Sequence, residues 1–354
     1  MSSPGGNNML RNRRLWRWVS GTILLGAFIF GFCFFAKPGA NLDHAGRRLM
    51  IDIFSGFEPF EPPPRPIFLM HGLGGAAADL TYLETWLANA LPGTKTFKVN
   101  IYERKESSTS LLVQVPALAN FIRQTKKNDP DAFQYGYDLV CHSQGALICR
   151  CLAEEMDDHE VHTLISLAGP QMGVFGNHFS LPGGLMPVHL GINGDLGNMP
   201  YTQLLQKSSS VANMWNDPLH HNRFVEKSQF LAVFNGLQNR TDADSRETAR
   251  RKSNFVRLRK ACFFVGDFGA NPYEGGLEPW QSGVFGFYNY INGSNTEYLT
   301  MHQTLEYKHD TFGLRTLDTT GRLILQAVPK IGHGQWTGDY NVVSKYVVPQ
   351  LGGQ

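Results

Sequence analysis

Around Ser143 the chain changes its hydrophobic period within two residues. Tyr137–Cys141 is a short apolar run that reads as a strand. Gln144–Met156 is a helical pattern that would bury Leu147, Ile148, Cys151 and Leu152. Only His142 and Ser143 separate the two. A strand that turns sharply into a helix is the first half of a crossover, and crossovers build parallel sheets.

The same alternation extends over most of the chain. Ile67–Met70 reads as a strand and runs into Gly72-Leu73-Gly74-Gly75. Asp79 is placed to cap a helix with Leu80, Leu83, Leu87 and Leu91 on one face, stopped by Pro92-Gly93. Phe97–Tyr102 follows as a strand, and Val113–Thr125 as a helix with Pro116 in its first turn. Leu164–Leu167, Phe263–Val265 and Leu323–Ala327 supply later strands. These apolar runs are continuous, which means both faces of the sheet are covered. The expected class is α/β, a mostly parallel sheet with helices on both faces. From about Gly173 to Lys260 the rhythm breaks, and this stretch is expected to form a cap insertion above the sheet. Its charged part, Arg240–Lys252, is expected to be a solvated face.

The residues at the strand ends carry chemistry. Cys141-His142-Ser143-Gln144-Gly145 puts a serine at the apex of the strand-to-helix turn. Such a nucleophile elbow needs small residues two before and two after the serine, because neighbouring backbone crowds there. Gly145 meets the second requirement. Cys141 stands where the usual motif has glycine, and cysteine is still small. The loop after the first buried strand, Met70-His71-Gly72-Leu73-Gly74, is where this arrangement takes one backbone N–H for an oxyanion hole. The residue after the nucleophile gives the other, so the expected donors are Leu73 and Gln144. His71 is expected to be a structural hydrogen-bonder. Late in the chain, Ile331-Gly332-His333-Gly334 follows the last strand, and the chain order serine, acid, histidine makes His333 the expected base. His220, His221 and His309 sit among polar residues and read as surface, while His302 has no nameable partner. His178 and His189 fall in the cap stretch. Together these features describe an α/β-hydrolase whose Ser143 attacks an acyl carbonyl while His333 takes its proton. Water then releases the acid, with no metal or organic cofactor needed.

The ends and the charge bound the setting. Net charge is +2, so no attraction to nucleic acid follows. Residues 1–18 form a basic tail with Arg11, Arg13, Arg14 and Arg17. The uncharged run Val19–Ala36 would rise about 27 Å as a helix, close to a bilayer core. It is followed by poor cleavage-site residues, so it reads as a transmembrane signal anchor, with a cleaved signal peptide as the alternative. Either way, the residues beyond Lys37 lie in the secretory lumen. Residues 37–64 form a stem ending in a proline-rich stretch, and the globular domain covers 65–354. The sequons at Asn239 and Asn292 suit glycosylation there, and no cysteine spacing resembles a zinc site.

From about Pro66 to Leu351 the chain resembles a palmitoyl-protein thioesterase, more the second type than the first. The resemblance rests on His71-Gly72-Leu73, Cys141-His142-Ser143-Gln144-Gly145, Ile165-Ser166-Leu167 and Pro170-Gln171-Met172-Gly173. It continues through Trp215-Asn216-Asp217-Pro218, Phe230-Leu231-Ala232, Pro279-Trp280-Gln281-Ser282, Phe285-Gly286-Phe287-Tyr288 and Gly313-Leu314. It implies hydrolysis of long-chain acyl thioesters, such as palmitoyl-CoA or S-acylated proteins and peptides, in lysosomes. It also implies a disulfide between Cys141 and Cys149, a pair shared by second-type members. The third triad member must be a carboxylate in the loop after Phe263–Val265, which offers Asp267, Glu274 and Glu278. Counting back from Pro279, Glu274 stands where the family has its aspartate, and it is the expected acid. Asp267, at the strand end, is the alternative. The same residues also suit a lipase or carboxylesterase acting on oxygen esters, or a catalytically inactive lipid-binding protein of the same fold.

Overall fold

The computed structural model describes residues 63–175, 197–217, 220–266, 283, 285–291 and 294–352, and side chains of 288–298 are not considered. The described residues belong to one compact unit, Pro62–Gln354. The N-terminal arginines, the Val19–Ala36 run, the stem before residue 63, His178, His189 and the candidate acids Asp267, Glu274 and Glu278 lie outside the described residues.

Six strands form one sheet: β1 (Ile67–Met70), β2 (Thr96–Lys98), β3 (Tyr137–His142), β4 (Val161–Leu167), β5 (Lys260–Gly266) and β8 (Leu323–Val328), in the order β2-β1-β3-β4-β5-β8. Every pairing in it is parallel. Strands β6 (Phe287–Ile291) and β7 (Ser294–Leu299) make a separate antiparallel pair. Alternate residues of the sheet feed two cores. Phe68, Leu139, Cys141, Leu164, Ala261 and Phe263 pack on one face with α2 (Leu111–Asn128) and α3 (Gln144–Glu155). Leu69, Val140, Ile165, Cys262 and Phe264 pack on the other with Leu83 and Leu87 of α1 (Thr81–Ala90) and with Val343 and Val347. This two-sided burial is why β1, β3, β4 and β5 read as continuous apolar runs, whereas β8 departs from that expectation: it lies at the end of the sheet order and leaves Leu325 40% exposed. The fold is that of an α/β-hydrolase.

Several elements differ in extent from the sequence expectation. The strand expected over Phe97–Tyr102 stops at Lys98. Beyond it the backbone takes positive φ at Tyr102 (53°) and Arg104 (50°) and enters a 3-10 turn, Arg104–Ser108. Helix α2 starts at Leu111 under a Ser110 cap, so Pro116 lies a turn deeper than its first turn. Asp79 sits inside a 3-10 turn, Ala77–Leu80, ahead of α1. There its carboxylate accepts from the Ala76 N–H at 2.9 Å. The stretch read as a cap contains short helices from Met199 to Phe234, then α4 (Asp242–Phe255). The charged face of α4 turns partly inward. Arg250 and Arg251 pair with Glu155 at 3.0 and 2.8 Å, and Asn254 donates to the Glu154 carbonyl at 2.9 Å. Helix α4 therefore joins the layer over α3.

Candidate active site

All six strands of the sheet point the same way, so the loops after β1, β3, β5 and β8 leave one edge together. Met70 is level with Cys141, His142 with Leu167, and Gly266 with Val328. Ser143 therefore emerges beside the glycine loop, with the loop carrying His333 on the same edge. Ser143 holds φ 54° and ψ −130°, a conformation rarely adopted by side-chain-bearing residues. Two bonds lock that strain: Ser143 N–H to the Leu167 carbonyl and Ala146 N–H to the Ser143 carbonyl, both 2.9 Å. The side chain does not cap α3, which removes the plain N-cap role that a serine in this position would otherwise have.

Crowding explains two glycines. A Cβ on Gly72 would come within 2.7 Å of the Ser143 Cβ, and one on Gly145 within 2.2 Å of the His71 carbonyl oxygen. The β1 loop and the elbow thus touch backbone to backbone. That contact sets Leu73, next to Gly72, beside the serine. Gln144 is the first residue of α3, whose N–H has no partner inside the helix. Among the described residues, neither the Leu73 nor the Gln144 backbone N–H is engaged by a hydrogen bond.

The half-buried His333 reaches Ser143, with Nε2 2.8 Å from Oγ. Its loop is fastened despite the two glycines that flank the histidine. Gly332 N–H donates to Gln335 Oε1 at 2.7 Å, Gln335 N–H returns to the Gly332 carbonyl at 3.0 Å, and Trp336 is fully buried. His142, which the sequence left without a role, adds another tie. Its Nε2 lies 2.8 Å from the His333 carbonyl oxygen. A carbonyl only accepts, so Nε2 carries the hydrogen. Desolvation, followed by the nearby His333 ring, pushes the His142 pKa down to about 3, which keeps the ring neutral. The second residue missed by sequence reasoning is Ser107, whose bonds reach both the glycine loop and Gln144. Its only sequence signal was a serine-rich stretch before α2, which reads as an ordinary helix lead-in.

The other histidines stand apart. His71 Nδ1 lies 3.0 Å from the Gly72 carbonyl, consistent with a local hydrogen-bonder. His220 and His309 are exposed. His221 corrects the surface expectation: it is half-buried, its ring stands 5.8 Å from that of Phe224, and desolvation lowers its pKa. The Phe287 ring, 6.4 Å away and far along the chain, is the part of this setting that a local window could not reveal. His302, for which the sequence names no partner, lies 3.4 Å from Asp318.

Cys141 and Cys149 form a disulfide with Cα atoms 6.7 Å apart, joining the end of β3 to α3. Cys151 and Cys262 are free and buried. Asn239 is exposed, while Asn292 lies outside the described residues. No helix among the described residues is long and apolar enough to cross a membrane.

Comparison with known proteins agrees with this geometry. The family model for palmitoyl protein thioesterase matches residues 66–333. The lysosomal thioesterase PPT2-B of Xenopus laevis is 33% identical over 283 residues, covering 80% of this chain and 91% of that protein. The lysosomal thioesterase PPT2 of Homo sapiens is 31% identical over 293 residues, covering 83% and 90%. Palmitoyl-protein thioesterase 3 of Dictyostelium discoideum is 30% identical over 262 residues, covering 73% and 82%. An α/β-hydrolase sheet, a strained serine within reach of a late histidine, and a match that runs from the first strand to that histidine together make this chain a member of the palmitoyl protein thioesterase family.

Proposed function

We propose that this thioesterase hydrolyses long-chain acyl thioesters through an acyl-enzyme on Ser143. The observation that carries the proposal is the 2.8 Å contact between Ser143 Oγ and His333 Nε2 at the apex of a strained elbow. His333 takes the hydroxyl proton as Oγ attacks the thioester carbonyl. The unengaged N–H groups of Leu73 and Gln144 receive the developing oxyanion. His333 then protonates the leaving thiolate, and a water molecule deprotonated by the same ring releases the fatty acid. Glu274 holds His333 Nδ1 and stabilises the imidazolium, with Asp267 as the competing acid. Palmitoyl-CoA and S-palmitoylated proteins or peptides are the substrates that the family suggests.

The setting proposed is the lysosomal lumen, reached through the secretory pathway. The chain is held there by an N-terminal anchor over residues 19–36 and glycosylated at Asn239 and Asn292. The test is palmitoyl-CoA hydrolysis by the full chain, with a palmitate oxygen ester in parallel. Ser143→Ala and His333→Ala should each lower kcat at least thousandfold, and Ser143→Ala should abolish fluorophosphonate labelling. Thioester turnover within tenfold of wild type in either folded variant would remove the mechanism. Faster hydrolysis of the oxygen ester would make the enzyme an esterase by preference.

A further inference from the structure

The 3-10 turn Arg104–Ser108 lies over the glycine loop and is tied to it at several points. Arg104 N–H donates to the Gly75 carbonyl at 2.7 Å, and Ala77 N–H donates to Glu103 Oε1 at 2.7 Å. The Arg104 guanidinium forks onto Asp79 at 2.7 and 2.8 Å. That ion pair is exposed and contributes little by itself. The buried bonds of the turn converge on Ser107, which is 1% exposed.

Ser107 bonds next to both proposed oxyanion donors at once. Its Oγ accepts from Gly74 N–H at 2.7 Å, one residue past Leu73. Its carbonyl accepts from Gln144 Nε2 at 2.7 Å, the side chain of the other donor residue. The carbonyl is steadied in turn by Gln114 Nε2 of α2 at 2.8 Å, and Oγ donates to the Arg104 carbonyl. The backbone accepts positive φ at Tyr102 and Arg104 to present Ser107 this way. Strain of that kind persists only where surrounding contacts over-determine it. Nothing else among the described side chains bonds to both the glycine loop and Gln144.

We infer that Ser107 is a positioning residue that sets the spacing between the Leu73 and Gln144 N–H groups, one through its hydroxyl and the other through its carbonyl. The inference rests on the acyl-enzyme reading of Ser143 given above. A two-donor hole acts only when both donors meet the same oxygen, and a misplacement of about 1 Å costs up to about a hundredfold in rate. The effect belongs to the transition state, so it should appear in kcat and leave KM alone.

The experiment compares wild type, Ser107→Ala, which loses the Gly74 tie and the hydroxyl's bond to the Arg104 carbonyl but keeps the Ser107 carbonyl, and Gln144→Leu, which loses only the side-chain tie and keeps its backbone N–H. All are made in the full chain and assayed on palmitoyl-CoA and for the rate of fluorophosphonate labelling. Each variant should lose roughly ten- to a hundredfold in kcat and in labelling rate, with KM within twofold and an unshifted pH profile of kcat/KM. A kcat within twofold of wild type in folded Ser107→Ala overturns the inference. So does a loss confined to KM, or a displaced pH profile that would route the effect through His333. If Ser107→Ala does not fold, Gln144→Leu decides by the same criteria. Ser143→Ala separates the two levels. Should it retain turnover, the acyl-enzyme reading falls. Should it be inactive while Ser107→Ala matches wild type, only the role of Ser107 falls.

Discussion

A neutral histidine 2.8 Å from a serine hydroxyl removes a proton efficiently only if its other nitrogen is held and its positive charge is balanced. That job needs a carboxylate, and the loop after β5 holds Asp267, Glu274 and Glu278. Strands β5 and β8 end level with each other, at Gly266 and Val328, so the chain leaves β5 beside the start of the histidine loop; the acids themselves lie outside the described residues. Glu274 is the proposed partner, because counting back from Pro279 places it where the family has its aspartate, and glutamate is an accepted triad acid. Glu274→Gln should lower kcat about 10⁴-fold, the scale seen when a triad acid becomes an amide. Asp267→Asn should have a far smaller effect. Steady-state kinetics of both variants on one thioester checks this, and the opposite ranking would hand the role to Asp267.

Between elements, the contact that matters is the one joining the end of β3 to the loop after β8. His142 supplies it with a single hydrogen bond to the His333 carbonyl, while the disulfide Cys141–Cys149 ties the same strand end to α3. The His142 bond has a pH signature. Its pKa falls from the ordinary 6.5 to about 3 in the folded chain. Between those values the unfolded chain binds a proton that the folded chain refuses. Stability contributed by the neutral ring is therefore complete above about 6.5 and is lost as pH falls through that window. His159 and His162, each lowered to about 4, act in the same direction. Glu154 acts in the opposite one, because desolvation by burial, only partly offset by the Arg150 charge, raises it to about 7 and folding then favours its protonated form. The comparison must therefore be made against a variant. In His142→Asn, unfolding free energy measured by denaturant should fall less between pH 7 and pH 4 than in wild type. A difference between the two proteins that stays constant across this range would remove His142 from the acid response.

For the whole molecule, the proposed membrane anchor rests on residues 1–36, which lie outside the described residues. The Arg11–Arg17 cluster followed by the uncharged Val19–Ala36 predicts an uncleaved anchor facing the lumen. In cells expressing the full chain, the glycosylated protein should stay in the pellet after alkaline carbonate extraction, and its N-terminus should precede Val19. A mature chain beginning near residues 37–41 and released by carbonate would establish a cleaved signal peptide instead.

Much of the domain was legible in the sequence because its determinants are local. Continuous apolar runs mark strands covered on both faces, and the period change at Ser143 marks the elbow. Gly72 and Gly145 are glycines because backbone touches backbone there, which a motif can record without coordinates. The order serine then late histidine follows from the fold's connectivity, so His333 could be named before its distance to Ser143 was known. What only the tertiary structure decided are contacts between residues far apart in sequence. His142 meets His333 across 191 positions, and Ser107 meets Gln144 across 37. His221 is drawn from the surface toward Phe287, whose ring stands 6.4 Å away across 66 positions. Each of these depends on where separate elements dock, and docking is set by side-chain packing and desolvation over the whole sheet rather than by any short window of residues.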